Sequence, residues 1–310
     1  MVRPAALAPS PLCHDVRAGT TSARTAVAEV NSVFLSYEEQ GAGQPVIFVH
    51  GALSDLRVWD PVRDELAQRT EIASRFRLIA YTQRYYGTCR WSDDGARFSV
   101  ATHADDLAKL IAPLATKPVH LVGTSYGGLV AATAAVRNPG LVRSLVLYEP
   151  ALISLLPQES EDGRAARADR AAFMEPVMSA LKIGNTVRAA RAMYEAVNQL
   201  LPGGFDHEPH AVQTRVLDNA RTLPLLLAAL AASDITCELL KDFPCPTLVM
   251  RGERSQAYYI LINEAIGRCM PWARQVVLKN ANHGAPHRNP DAFAAAVFEF
   301  LRSCQEIPGS

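Results

Sequence analysis

Short apolar runs recur along the chain, and stretches with helical spacing separate them. Seven runs rich in β-branched and aliphatic residues cover positions 32–39, 46–50, 76–82, 119–124, 144–149, 247–252 and 275–280. Strands buried on both faces of a parallel sheet have such continuous apolar sequences, and parallel pairing requires crossover connections between them. The pattern predicts an α/β fold with a mostly parallel central sheet and flanking helices.

The alternation stops at residues 151–241, which carry helical stretches rich in Ala, Leu and Arg. A segment of this length between two strands is longer than ordinary connections. We expect a helical cap at residues 151–241, inserted into a core formed by residues 29–150 and 242–310.

The first 28 residues are rich in Ala, Ser, Thr and Arg and poor in acidic residues. This composition is loosely compatible with an organellar transit peptide, and it lacks the continuous apolar segment of a secretory signal. We predict a disordered leader, or an over-long start, at residues 1–28.

Composition narrows the classes of partner. The 310 residues contain 31 Lys and Arg and 31 Asp and Glu, so no net charge attracts nucleic acid or an anionic membrane. The longest apolar run, at residues 223–232, is shorter than the roughly 18 residues of a membrane-spanning helix. We expect a cytoplasmic protein whose partner is a small-molecule substrate, with the oligomeric state left open.

The cysteines and histidines form no recognisable metal or redox motif. The six cysteines are Cys13, Cys89, Cys237, Cys245, Cys269 and Cys304. They are scattered without a C-x-x-C pair, which favours free thiols in a reducing compartment. Prolines interrupt the His-containing segments 206–210 and 283–287, so no helix aligns these side chains as metal ligands. We expect no metal and no cofactor.

Ser125 stands between two glycines at a point where a strand gives way to a helix. Residues 123–127 read Gly-Thr-Ser-Tyr-Gly, which matches the pattern G-x-S-x-G. A tight, strained turn from strand to helix displays the serine and requires small neighbours, while the helix start offers free N–H groups. The motif predicts a nucleophilic serine, although glycine-rich turns of this kind also occur in phosphate-binding proteins.

Two further elements make the nucleophile hypothesis more specific. The run at 46–50 ends at His50-Gly51, and the N–H group of Ala52 in the following loop can join that of Tyr126 in binding an oxyanion. His283 follows the last predicted strand, where it can reach the serine as a general base.

Together these residues resemble the α/β-hydrolase superfamily, and the resemblance covers about residues 29–310, with the cap similar only in position and helical character. It implies that Ser125 attacks an acyl carbon and that His283 transfers the proton. It also implies that the N–H groups of Ala52 and Tyr126 hold the oxyanion. By the same resemblance the side chains of Trp59 and Tyr126 line the acyl pocket, although aromatic residues at such positions are more often core.

The sequence departs from the family pattern at the acid. The family often has Gly-Glu-x-Asp after the strand at 247–252, whereas this chain has serine at position 255. Some members, including certain lactone hydrolases and haloalkane dehalogenases, place the acid after the strand that follows the nucleophile helix. Glu149, directly before Pro150, resembles that arrangement and is the favoured acid. Glu253 and the absence of a functional acid are the alternatives.

The resemblance implies a serine hydrolase that cleaves a carboxylic ester or lactone through an acyl-enzyme. The Leu, Met and Ala content of residues 151–241 suggests a small, largely apolar substrate. Haloalkane dehalogenases and epoxide hydrolases are disfavoured because they use an aspartate nucleophile, and amide and carbon–carbon bonds are also cleaved on this scaffold. A cofactor-free lyase or oxygenase and a non-catalytic binding protein are the remaining alternatives.

Overall fold

The computed structural model describes residues 23–232 and 235–304. One sheet contains eight strands: β1 (Arg24–Val30), β2 (Val33–Gly41), β3 (Gln44–Val49), β4 (Phe76–Tyr81), β5 (Val119–Thr124), β6 (Val142–Tyr148), β7 (Thr247–Gly252) and β8 (Arg274–Leu278). Their spatial order is β1-β2-β4-β3-β5-β6-β7-β8. The pairs β1–β2 and β2–β4 are antiparallel and all the others are parallel, which confirms the predicted α/β fold.

Helices occupy both sides of the sheet and the long insertion between β6 and β7. They are α1 (Asp60–Ala67), α2 (Thr70–Arg75), α3 (Val100–Leu114), α4 (Ser125–Arg137), α5 (Glu161–Lys182), α6 (Thr186–Val197), α7 (His210–Asp218), α8 (Leu223–Ala231), α9 (Cys237–Lys241), α10 (Ala257–Cys269), α11 (Ala285–Arg288) and α12 (Pro290–Ser303). Helices α5 to α9 belong to the insertion at residues 151–241, which we call the inserted helices. None of the helices in the described ranges is long and apolar enough to cross a membrane.

The two faces of the sheet contribute to different cores, because successive side chains of a strand point to opposite faces. In β3, Val46 and Phe48 pack in a cluster with α1 and α12. Ile47 and Val49 belong to the other cluster, which includes residues of α3, α4, α10 and the inserted helices. The carboxyl ends of β3, β5, β6 and β7 lie at one edge of the sheet, which faces the inserted helices. Every predicted site residue except Trp59 lies at this edge.

The sheet begins earlier than predicted. The expected leader at residues 1–28 overlaps β1, whose residues Arg24–Val30 pair with β2 in the register Val27 with Ser36 and Val30 with Val33. The mainly small side chains of β1 produced no strong apolar run, and only pairing with β2 defines it as a strand. The prediction of a leader is therefore wrong for residues 24–28, while residues 1–22 lie outside the described part of the chain.

The prediction of free thiols is also wrong for two of the six cysteines. Cys237 of α9 and Cys269 of α10 form a disulfide, with their Cα atoms 5.1 Å apart. They are 32 residues apart in sequence, and the packing of α9 against α10 brings them together. Cys245 and Cys304 are free thiols, and Cys13 lies outside the described residues.

Candidate active site

Ser125 lies at the junction of β5 and α4 with a φ of +52°, a left-handed backbone conformation that non-glycine residues rarely adopt. The surrounding backbone leaves no room for side chains at the two glycine positions of the motif. A Cβ atom on Gly127 would lie 2.2 Å from the carbonyl oxygens of Val49 and His50, and one on Gly123 would lie 2.7 Å from the carbonyl oxygen of Gly127. The glycines of the motif therefore let the turn at residues 123–128, the serine turn, press against the end of β3.

One predicted oxyanion donor, Tyr126, lies within this turn, and the other, Ala52, lies in the loop after β3. A Cβ atom on Gly51 would be 3.1 Å from that of Ser125, so the loop that carries Ala52 reaches the serine directly. Ala52 lines the same cavity as Ser125. Tyr126 is in the first turn of α4, where backbone N–H groups have no acceptor within the helix.

The side chain of Tyr126 belongs mainly to the core. Its hydroxyl lies 2.7 Å from Nδ1 of His103, and Nε2 of that histidine lies 3.2 Å from the carbonyl oxygen of Arg84. Burial lowers the pKa of His103 to about 3, so the ring is neutral. Its Nδ1 accepts a hydrogen bond from the hydroxyl of Tyr126. Tyr126 also lines a second cavity beside Ser125.

Glu149 follows β6 and is completely buried, with a φ of +41°. Its Oε1 accepts hydrogen bonds from the N–H group of Gly252, at 2.8 Å, and from the hydroxyl of Ser255. Its Oε2 lies 2.8 Å from Nδ1 of His283. A carboxylate accepts hydrogen bonds, so Nδ1 of His283 carries the proton and Nε2 is unprotonated. We call residues 148–151 the glutamate turn.

Glu253 occupies a different environment. Its side chain is exposed, and its Oε2 accepts a hydrogen bond of 2.9 Å from the N–H group of Asn280. The carboxylate that contacts His283 is that of Glu149. Ser255, at the position where the family often has its acid, donates a hydrogen bond to this relocated carboxylate.

Tyr259 is a site residue that the sequence reasoning missed. Its ring stacks on that of His283 with the centroids 4.4 Å apart, and its hydroxyl lies 3.2 Å from Nε2 of the histidine. The side chain of Ser125 is close enough to the hydroxyl to affect its ionisation, and burial raises the pKa of Tyr259 to about 12. A protonated phenol therefore lies between the serine and the histidine. Its contacts depend on how α10 packs beside His283, so no local pattern in the sequence marks it.

The cavity beside Ser125 lies between the sheet and the inserted helices. Its walls include Met193, Tyr194 and Val197 of α6 and Arg215 and Val216 of α7, together with Ser125 and His283. The neighbouring cavity is bordered by Phe173, Met174 and Leu227. Both cavities combine apolar walls with a few polar groups, as small-molecule sites do.

The prediction that Trp59 lines the acyl pocket is wrong. Its side chain is fully buried and packs against Phe48 and Phe293, with ring centroids 5.2 and 5.9 Å away. These partners belong to the core on the α1 and α12 side of the sheet. Trp59 lines neither of the cavities beside Ser125, so the indole is a core residue.

Among residues 23–232 and 235–304, no group of three or more His, Cys, Asp or Glu side chains is arranged to hold a metal ion. Two members of the His-containing segments have other contacts. Glu208 accepts a hydrogen bond of 3.0 Å from the hydroxyl of Tyr194 and forms an ion pair with Arg288. His287 places Nε2 at 3.1 Å from the same hydroxyl.

Comparisons with known proteins identify the fold and the class of chemistry. Residues 46–296 match the model of a family described as "Alpha/beta hydrolase family". The chain is 27% identical over 280 residues to a 2-(acetamidomethylene)succinate hydrolase of Mesorhizobium japonicum, covering 88% of this chain and 93% of that protein. It is 30% identical over 296 residues to a non-heme chloroperoxidase of Kitasatospora aureofaciens, covering 87% of this chain and 97% of that protein.

A solved structure gives the same fold. The enol-lactonase of Burkholderia xenovorans superposes with a TM-score of 0.69 at 19% sequence identity, covering 89% of this chain and all of that one (100%). At this identity the superposition shows the fold alone.

Proposed function

Because this chain belongs to the alpha/beta hydrolase family and is a hydrolase, we propose that it cleaves a carboxylic ester or lactone of a small molecule through an acyl-enzyme on Ser125. The observation that carries the proposal is the 2.8 Å contact between Oε2 of Glu149 and Nδ1 of His283. It orients the imidazole with an unprotonated Nε2, as a general base for a serine requires.

In the proposed reaction, Oγ of Ser125 attacks the acyl carbon and the serine proton ends on Nε2 of His283. The hydroxyl of Tyr259 lies on that path, so the proton either passes through it or moves after it has turned away. The N–H groups of Ala52 and Tyr126 stabilise the negative charge that develops on the carbonyl oxygen. The histidine then protonates the leaving group, and a water molecule activated by the same histidine releases the acid.

Glu149 acts through the histidine. A carboxylate on Nδ1 holds the correct tautomer and stabilises the imidazolium that forms during the attack. Its burial excludes water from this contact, and the donors Gly252 and Ser255 compensate the lost hydration of the charge. The inserted helices serve in this proposal as the cap that forms the substrate pocket.

A second candidate is proton-transfer chemistry without an acyl-enzyme, as in a lyase or cofactor-free oxygenase. The Tyr259 hydroxyl favours it, because it lies 3.2 Å from Nε2 of His283 and next to Ser125, where a proton could be transferred without an acyl-enzyme. In that case Ser125 would position the substrate rather than attack it.

Treatment with a fluorophosphonate separates these candidates. A single adduct in the intact-protein mass, mapped to Ser125 and absent from Ser125→Ala, is expected for an activated serine. A panel of p-nitrophenyl esters and small lactones then tests turnover, with Ser125→Ala as the control. A folded protein that forms no adduct with a small probe and hydrolyses no member of the panel would contradict the proposal.

A further inference from the structure

Arg215 of α7 is the cation that lines the cavity beside Ser125 and His283. The residue is only 6% exposed. A guanidinium this far from solvent needs a hydrogen-bonded or charged partner, because burial disfavours its charged form.

Within the described residues, the side chain of Arg215 forms no ion pair and no hydrogen bond. The acidic groups nearest to it are engaged elsewhere. Asp55 binds Arg57, at 2.6 Å, and Nδ2 of Asn219, at 2.9 Å. Asp60 pairs with Arg63 at 2.7 Å. Burial accordingly lowers the pKa of Arg215, with Asp55 opposing only part of that effect.

The rest of this cavity wall supplies no compensating charge. The described residues that line it include no aspartate and no glutamate. His287 is neutral, because loss of solvation and the nearby cations Arg215 and Arg288 lower its pKa well below the ordinary value. Ser54 and Asn198 add polar groups to the same wall. A buried cation, polar neighbours and no anion describe one end of a site suited to an anionic group.

We propose that the substrate carries a carboxylate group and that Arg215 binds it, which rests on the proposed hydrolysis at Ser125. The substrate class is then a half-ester of a small dicarboxylic acid, or a lactone that bears a carboxylate. A single guanidinium matches a monoanionic carboxylate in charge and in its two-pronged geometry. The substrate is therefore apolar along the Met193 and Val197 wall and anionic at the Arg215 end.

The test compares p-nitrophenyl hemiglutarate with p-nitrophenyl valerate, which is similar in length and has no carboxylate. We expect the wild-type enzyme to prefer the anionic ester, and Arg215→Met to lower the ratio of the two kcat/KM values at least about 100-fold. Arg188→Met, which removes an exposed arginine of α6, is the matched control and should leave the ratio unchanged. An unchanged ratio in Arg215→Met would overturn the proposal.

A binding measurement keeps this inference separate from the proposed hydrolysis. Glutarate should bind to Ser125→Ala in calorimetry, and the added Arg215→Met substitution should abolish that binding. If neither ester is hydrolysed but this binding difference holds, the hydrolase proposal fails and the carboxylate site stands. Absence of glutarate binding together with no preference for the anionic ester sinks the carboxylate site.

Thermal stability distinguishes a binding role from a structural one. If Arg215 is kept for its ligand, removing an uncompensated buried charge should leave the melting temperature of Arg215→Met equal to or above that of the wild type. Glutarate should raise the melting temperature of the wild type and not that of the variant. A lower melting temperature with unchanged ester preference would show that Arg215 is structural.

Discussion

The serine turn and the glutamate turn lie at the ends of neighbouring parallel strands. Both contain a strained backbone conformation, and different contacts stabilise it in each turn. Each places a non-glycine residue in the left-handed region, with φ of +52° at Ser125 and +41° at Glu149. Such conformations cost of order 1–3 kcal/mol each and persist only where the surroundings hold them. The serine turn is stabilised by close backbone packing against β3, which is possible because its glycines have no side chains. The glutamate turn is held by added hydrogen bonds to its carboxylate.

The difference determines how visible each turn is in the sequence. The glycines of the serine turn are neighbours of Ser125, so five consecutive residues record the geometry. The partners of Glu149 lie 103 and 134 positions further along, at Gly252 and His283. A strained residue that depends on distant partners leaves no local pattern.

The largest expected effect comes from Glu149→Gln. The N–H group of Gly252 needs an acceptor, so the amide oxygen of the new glutamine faces Gly252 and its NH₂ group faces His283. Nδ1 must then accept a hydrogen bond, the proton moves to Nε2, and the histidine loses its role as a base. We expect kcat/KM for an ester to fall about 10⁴-fold, as it does when the triad aspartate of a serine protease is replaced by asparagine. Glu253→Gln is the control and should stay within about twofold, since that exposed carboxylate is remote from the histidine.

A near-wild-type rate for Glu149→Gln, or an equal loss in Glu253→Gln, would contradict the assignment of the acid. Circular dichroism of both variants shows whether the fold is retained, which separates lost chemistry from lost structure.

The next effect should follow Gly127→Ala, which tests the serine turn. The added methyl group would lie 2.2 Å from two carbonyl oxygens at the end of β3, and a buried strand cannot move away easily. We expect a loss of about 3 kcal/mol in the free energy of unfolding, measured with urea, or failure to fold. Gly140→Ala, where nothing lies within 4 Å of the added atom, should change it by less than about 0.5 kcal/mol. Equal stabilities of the two variants would show that the glycine is not required by packing.

Ser255→Ala should produce the smallest effect and probes the glutamate turn. The substitution removes one of the donors to a buried carboxylate and leaves the others in place. We expect kcat/KM to fall about tenfold, with recovery in Ser255→Thr, which restores the hydroxyl. If the alanine variant has the wild-type rate, the N–H group of Gly252 is sufficient to position Glu149.

The sequence was sufficient to predict those features that depend on adjacent residues. The parallel strands were predicted from continuous apolar runs, and the serine turn from its glycines. Glu149 was favoured because position 255 lacks a carboxylate and because Glu149, at a strand end before Pro150, resembles the alternative acid position of the family. Trp59 was misassigned because a resemblance in chain position does not tell which core a side chain joins. Tyr259 and the Cys237–Cys269 disulfide depend on packing between distant segments, so no spacing predicted them.

The hydrogen bond between Ser255 and Glu149 has a consequence for where such an enzyme can carry its acid. The hydroxyl of Ser255 touches the carboxylate that has moved to the neighbouring strand, so an aspartate at position 255 would face Glu149 with a second negative charge. Two carboxylates in one dry site cannot both stay ionised at neutral pH. An enzyme that carried both acids would therefore keep one of them protonated, and only one carboxylate at a time could act on the histidine as an anion.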